Sequence, residues 1–157
     1  MKIQIIYIGR DKKNHHSDVE QLYLKRLQKY LKVDLTSLRP QKHSAKLSSG
    51  EIKRMEADQF MAELHESNAV ILLDELGDTV DSQAFSHLIQ SKMTQSVRKL
   101  IFIIGGAYGI GDSLKRRYPR MIRLSSLTFS HHLARVVLLE QLYRAFTILN
   151  NEPYHNS

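Results

Sequence analysis

Two apolar rhythms alternate along this chain. The run "KIQIIYIG" (2–9) is short and apolar and predicts a first strand. Behind it, Ser17 and Glu20 have the spacing of a capping box, and Val19, Leu22, Tyr23, Leu27, Tyr30 and Leu31 recur at helical spacing. The stretch "VDLTSL" (33–38) alternates as a weaker strand, and polar residues fill a long loop over 39–50. Ser48 with Glu51 opens a second helix carrying Ile52, Met55, Phe60, Met61 and Leu64. Continuous apolar runs in "NAVILLDELG" (68–77) and "KLIFIIGG" (99–106) mark strands covered on both faces. Between them, Phe85, Leu88, Ile89 and Met93 mark a helix near 82–95. A short basic helix follows the glycines, and "RMIRLSSLTF" (120–129) reads as a last strand and loop. Ser130 is placed to cap a final helix from about 131 to 149. Strands alternating with helices predict an α/β fold on a mainly parallel sheet, in one domain of 157 residues.

The final helix departs from the ordinary pattern. Val136, Val137, Leu138 and Leu139 stand in succession and cover every face of one turn. A helix that is apolar all round must bury a second face. In so short a chain the expected cover is a second copy, a homodimer with Leu138 or Leu139 at or near the contact. The lack of cysteine excludes disulfides, zinc–cysteine sites and thiol catalysis. The start shows no signal-peptide order, and no apolar run nears the ~20 residues of a membrane span, so a soluble, cytoplasmic protein is expected. A net charge of +7 suits a polyanionic partner. Lys115, Arg116, Arg117, Arg120 and Arg123 surround Tyr118 beside the glycines, either as a solvated helix end or as a contact for RNA or DNA.

Four of the seven glycines (Gly105, Gly106, Gly109 and Gly111) fall in "IFIIGGAYGIG" (101–111). The dinucleotide fingerprint fails there, because its third glycine falls on Leu114. A P-loop fails too, because Asp112 stands where the lysine belongs. The spacing leaves either a tight turn after a core strand or a loop for a close ligand without a phosphate chain. His131-His132 and His15-His16 are adjacent pairs that share no helix face, so no metal is expected. A serine hydrolase lacks its nucleophile elbow. Glu140 and Arg144 have the spacing of a helical ion pair, and His131 and Arg135 stand one turn apart at a helix start, which favours anions. "PYH" (153–155) is either a frayed tail or an aromatic reach toward a base.

"FIIGGAYG" followed by "LSSLTFSHHLARVVLLEQLYRAFTILNNEPYH" resembles the ribosomal RNA large-subunit methyltransferase H family of the SPOUT class. The likeness includes "MKIQIIYIGR" and "LLDELG" and spans essentially the whole chain. It implies an α/β sheet with helices on both faces and a trefoil knot, with a cofactor-binding region from about 68 to 157. It also implies a homodimer that uses S-adenosylmethionine to methylate N3 of a pseudouridine in helix 69 of 23S rRNA on assembled ribosomes. Carried over residue by residue, the cofactor pocket comprises Leu73, Gly105, Gly106, Leu124, Ser125, Ser126, Leu127, Thr128 and Phe129. Glycine there would admit the ligand to the backbone, and a side chain at Gly106 would fill the ligand's space. His131, Glu140, Arg144, Tyr154 and His155 match catalytic positions, and Arg116, Arg117 and Arg135 would hold RNA phosphates. Ser130 replaces a common proline, and Asn156 replaces a common Lys or Arg. A catalytically inactive rRNA-binding member of the class is the alternative; intact "GGAYG" and "LSSLTF" segments argue against it.

Overall fold

Strand and helix alternate through the computed structural model, which describes residues 1–10, 16–40, 47–65 and 69–154. In chain order the elements are β1 (Lys2–Ile8), α1 (Ser17–Leu27), β2 (Val33–Leu38), α2 (Ser49–Ala62) and β3 (Ala69–Thr79). They continue as α3 (Ser82–Thr94), β4 (Lys99–Ile104), α4 (Asp112–Arg117), β5 (Met121–Arg123) and α5 (His131–Leu149). The strands form one sheet in the order β2-β1-β4-β3-β5, and every pairing is parallel. Parallel neighbours need crossovers, and the helices supply them.

Side-chain alternation splits each strand between two cores. Ile3, Ile5 and Tyr7 of β1 and Leu100, Phe102 and Ile104 of β4 face α1, α3 and α5. Ile6, Ile8, Ile101 and Ile103 face α2 and α4, where Ala57, Phe60 and Leu114 meet them. Each fully buried Ile, Leu or Phe contributes roughly 1.5–3 kcal/mol, so the apolar runs commit β1, β3 and β4 to the middle of the sheet. β2, with its weaker alternation, lies at an edge and is only half-buried.

Caps form where hydroxyls meet free backbone. Ser48 and Glu51 make the expected box, and Ser130 Oγ accepts from the Leu133 N–H at the start of α5. The box expected at Ser17 and Glu20 does not form: α1 begins after His16, with no side-chain cap. Glu20 turns inward instead, toward a buried arginine described below. A buried guanidinium is a stronger partner for a carboxylate than a solvated backbone N–H.

The reasoning from α5 to a subunit contact is corrected by the packing. Leu138 and Leu139 are both fully buried within one chain, in the same core as Leu142, Ala145 and Phe146. Successive residues lie about 100° apart on a helix, but α5 rests in a groove walled by α1, α3 and β4. That groove covers a wide enough arc for both. Beyond the helix, Glu152 accepts from Lys29 Nζ (2.6 Å) and the Tyr30 hydroxyl (2.7 Å), tying the segment after α5 to the turn that follows α1. No helix among the described residues is long and apolar enough to cross a membrane.

This packing predicts that Leu138→Glu and Leu139→Glu each unfold the chain rather than separate intact subunits. An unpaired charge in that core costs several kcal/mol. Circular dichroism with sedimentation checks it; a folded monomer from either variant would contradict the packing.

Candidate active site

The carboxyl ends of β3, β4 and β5 open into a cavity of about 690 Å³, the end of a parallel sheet where ligands usually sit. Its walls are the β3 residues Leu73–Leu76, the loop from Gly105 to Ile110, and the segment from Arg123 to His131. Lys53 of α2 and Asp112 and Lys115 of α4 complete it.

Asp74 organises one wall. Its carboxylate is nearly buried, lies 2.7 Å from Lys115 Nζ and accepts from the Leu76 N–H at 3.0 Å. The second contact holds the irregular stretch of β3, where pairing with β5 shifts register between Leu73 and Asp78. Leu76 is thereby thrown outward at the cavity rim, 75% exposed. In the facing wall, Ser125 Oγ accepts from the Leu127 N–H (2.9 Å), and this turn leaves Leu127 73% exposed.

The glycine loop is closed by its own backbone. Gly109 donates to the Gly106 carbonyl at 3.0 Å, with Gly109 in the left-handed region at φ 82°. Three of its four glycines have protein where a side chain would go, while Gly109 faces open space. A β-carbon at Gly105 would strike Gly109 and Ile110, one at Gly111 would strike the Lys53 carbonyl, and one at Gly106 would strike a side chain of α2. These residues are small because protein presses on them.

Of the nine cofactor positions, Leu73, Gly105, Gly106, Leu124, Ser125, Leu127, Thr128 and Phe129 line this one cavity; Ser126 is exposed beside it. His131 lines it too. Burial, then the nearby charge of Arg135, pushes the His131 imidazole below its usual range, so it is neutral at pH 7. His132 is lowered by the same two causes, in the same order. Its Nδ1 lies 3.0 Å from Arg135 Nη2, and since arginine can only donate, that nitrogen accepts.

Glu140, Arg144 and Tyr154 gather elsewhere. Glu140 Oε1 receives Arg144 Nη2 at 2.6 Å and the Tyr154 hydroxyl at 3.3 Å, and the Arg144 guanidinium lies 4.8 Å from the Tyr154 ring centre. Burial, then Tyr23, raises the Tyr154 phenol, which stays protonated. Tyr154 also packs edge-on against Tyr143, so the tail is docked at least to that residue. Glu140 follows His131 by nine residues on α5, about 13 Å along the axis. One chain therefore brings only part of the expected catalytic set to the cavity. His155 and Asn156 lie outside the described residues.

The basic residues also divide. Arg116 and Arg117 are exposed on α4. Lys115 is held by Asp74, Arg120 by Asp78 (2.7 Å), and Arg123 Nε by the Thr79 hydroxyl (2.6 Å). Arg135 is a correction: it is 3% exposed, so RNA phosphate cannot reach it. Its Nε and Nη2 each lie 2.8 Å from Glu20 Oε1, and its guanidinium stacks 4.0 Å from the Tyr7 ring centre. Sequence reasoning missed Lys53, Glu56, Asp74 and Glu20. One signal was available: Glu56 interrupts the apolar stripe of Ile52 and Phe60 on α2. Among the described residues no cluster of metal-ligating side chains is present.

Comparison with known proteins gives a consistent picture. A family model described as predicted SPOUT methyltransferase matches residues 1–155. The chain is 41% identical to a ribosomal RNA large subunit methyltransferase H of Flavobacterium psychrophilum, covering 99% of both chains. It is 40% identical to the protein of that name in Syntrophotalea carbinolica, again over 99% of each. Among solved structures, a probable methylase family protein from Haemophilus influenzae matches with a TM-score of 0.55 at 12% identity, over 99% of this chain and 70% of that one. A putative methyltransferase from Legionella pneumophila, solved with bound SAM, matches at 0.50 and 14% identity over 93% and 66%. At such identities the two structures speak for the fold.

The lowered histidines set a pH dependence. Below pH 6.5 the unfolded chain binds protons that folded His131 and His132 resist, so stability falls as pH drops through that value toward the folded ones. A His131→Asn, His132→Asn variant should show a flatter slope there. Urea unfolding above and below pH 6.5 measures it; an unchanged slope would contradict the assignment.

Proposed function

The chain belongs to the ribosomal RNA large subunit methyltransferase H family of SPOUT methyltransferases, and on that premise we propose its reaction. It transfers a methyl group from S-adenosylmethionine to N3 of a pseudouridine in helix 69 of 23S rRNA. It acts as a homodimer on assembled ribosomes in the cytoplasm. The observation that carries this reading is the single cavity walled by the glycine loop and the 123–131 segment.

The cavity's chemistry fits that cofactor. Its volume is within the usual range for small-molecule sites. Asp74, Glu75 and Asp112 share its walls with Lys53, Lys115 and Arg123, so a ligand that carries both an ammonium group and a carboxylate finds a partner for each. Leu73 and Leu127 would supply apolar walls. The backbone of Gly105, Gly106 and the segment Leu124, Ser125, Ser126, Leu127, Thr128 and Phe129 would read the adenine edge. When bound, the cofactor supplies an electrophilic methyl group.

His131 is the base in this reading. Its neutral imidazole would accept the N3 proton as that nitrogen is methylated. Arg144 and Tyr154 are donors that would stabilise negative charge on the uracil oxygens. Because they lie far along α5 from His131 in one chain, the second subunit brings its own Glu140–Arg144–Tyr154 cluster to the cavity. The exposed Leu76 and Leu127 at the rim offer apolar surface for that contact. In the same reading the whole chain is one domain, threaded as a trefoil knot within 68–157.

Single-turnover methylation of ribosomes carrying the helix 69 pseudouridine tests the assignment. His131→Ala and Arg144→Ala should each lower the transfer rate by about a hundredfold or more. When the two variant chains are mixed and reassorted, activity should reappear, because one of the two shared sites is then intact. Absence of recovery, with mixed dimers present, would place both residues in one subunit's site. Wild-type binding to cofactor and ribosome without transfer would mark an inactive rRNA-binding protein.

RNA holding is a separate prediction. Arg116→Ala with Arg117→Ala should weaken ribosome binding and flatten its salt dependence, with transfer at saturating ribosome little changed. Binding measured across a salt series decides; an unchanged slope would remove α4 from the RNA contact.

A further inference from the structure

The glycine loop does not stand alone: it is seated on α2. A β-carbon at Gly106 would lie 2.6 Å from Glu56 Oε2 and 2.9 Å from Oε1, closer than any ordinary contact. One at Gly111 would lie 2.7 Å from the Lys53 carbonyl oxygen and 2.9 Å from Ala57 Cβ. Both ends of the loop thus rest on one stretch of α2, at Lys53, Glu56 and Ala57. Between those contacts the Gly106–Gly109 bridge fixes the loop's shape, and the residues so shaped line the cavity.

Glu56 is the unexpected member of this seat. It is 5% exposed, on the helix face that buries Ile52 and Phe60. An apolar side chain would fill that place without the cost of stripping water from a carboxylate. What a carboxylate adds is an acceptor-only group, and its burial beside Ile52 and Phe60 limits how far its stem can swing away from the loop. The helix itself is firmly placed: Ala57 and Phe60 belong to the core beneath Ile101 and Ile103 of β4, and the Ser48–Glu51 capping box fixes its start. The carboxylate therefore meets the loop from an anchored support.

We propose that Glu56 is a positioning residue of the cofactor loop, its buried carboxylate closing on the α-carbon of Gly106 and holding the loop in its cavity-forming shape. The glycine is required by the glutamate, and the two act as one unit. The cofactor readout rests on the function proposed above; the conformational readout does not.

A double-mutant cycle tests the coupling. Gly106→Ala should speed hydrogen exchange of the 105–111 amides and weaken S-adenosylmethionine binding, each by about tenfold or more. Shortening the glutamate removes the obstruction, so Glu56→Ala with Gly106→Ala should recover at least about fivefold of each loss. Glu56→Gln keeps the length and should not rescue Gly106→Ala. Gly111→Ala meets backbone on α2, and Glu56→Ala should not rescue it either. Circular dichroism and the exchange of β1 and α5 amides serve as the fold control, since a merely structural role would change the whole chain together.

Losses that simply multiply in the double variant would overturn the proposal. If Gly106→Ala does not fold, Glu56→Ala alone decides: faster exchange confined to 105–111 supports it, and wild-type exchange there refutes it. If the wild-type chain fails to bind S-adenosylmethionine, the proposed function falls, and the exchange measurements still judge Glu56.

Discussion

Arg135 and Glu20 lie 115 residues apart in the chain and meet as a buried ion pair. Removing two charges from water costs several kcal/mol each, recovered only when geometry and hydrogen bonding are good. Here one carboxylate oxygen receives both Nε and Nη2, and the guanidinium face lies on the Tyr7 ring. Neither apolar packing nor helix propensity would orient the first turns of α5 so narrowly. The pair joins α1 to the first turns of α5 over Tyr7 of β1, next to Ser130 and His131 in the cavity wall.

The same pair shapes the electrostatics of the site. Burial, with the positive charge of Arg135 adding to it, holds both imidazoles below their usual range. An arginine that looked available for phosphate therefore works through its neighbours, joining α5 to α1 and adding to the effect of burial on a candidate base. Other basic residues near the cavity also have partners within the chain. Lys115, Arg120 and Arg123 are turned toward Asp74, Asp78 and Thr79 of β3, bracing the strand where it outruns the regular sheet. The exposed Arg116 and Arg117 remain as the outward face of that cluster.

Two supports outside the cavity's obvious motifs define its shape. Asp74 links the irregular end of β3 to α4, and α2 seats the glycine loop through Lys53, Glu56 and Ala57. The loop is consequently a fitted part whose small residues answer to the protein behind it. α5 has two ends with different duties: His131 faces the cavity, while Glu140, Arg144 and Tyr154 form a separate polar cluster. A site that uses both ends needs two copies of the helix, which is the physical ground for the proposed shared dimer.

Periodicity alone determined the order of strands and helices, because apolar runs and helical spacing are local and each core strand or helix must bury what it carries. The bounds of α5, the Ser48 and Ser130 caps and the interior position of β3 and β4 were legible in that way. So was the group of residues around the cavity, which family motifs carry as contiguous segments. The tertiary structure decided everything that depends on a distant partner. It drew Glu20 away from its expected cap, buried Arg135, placed Leu138 and Leu139 together in one groove, and set Glu56 against Gly106. None of these can be read from spacing, because the competing partner in each case comes from a remote part of the chain. A charged side chain's role is set by which of its possible partners folding brings within reach, and by how much water is excluded when it does so.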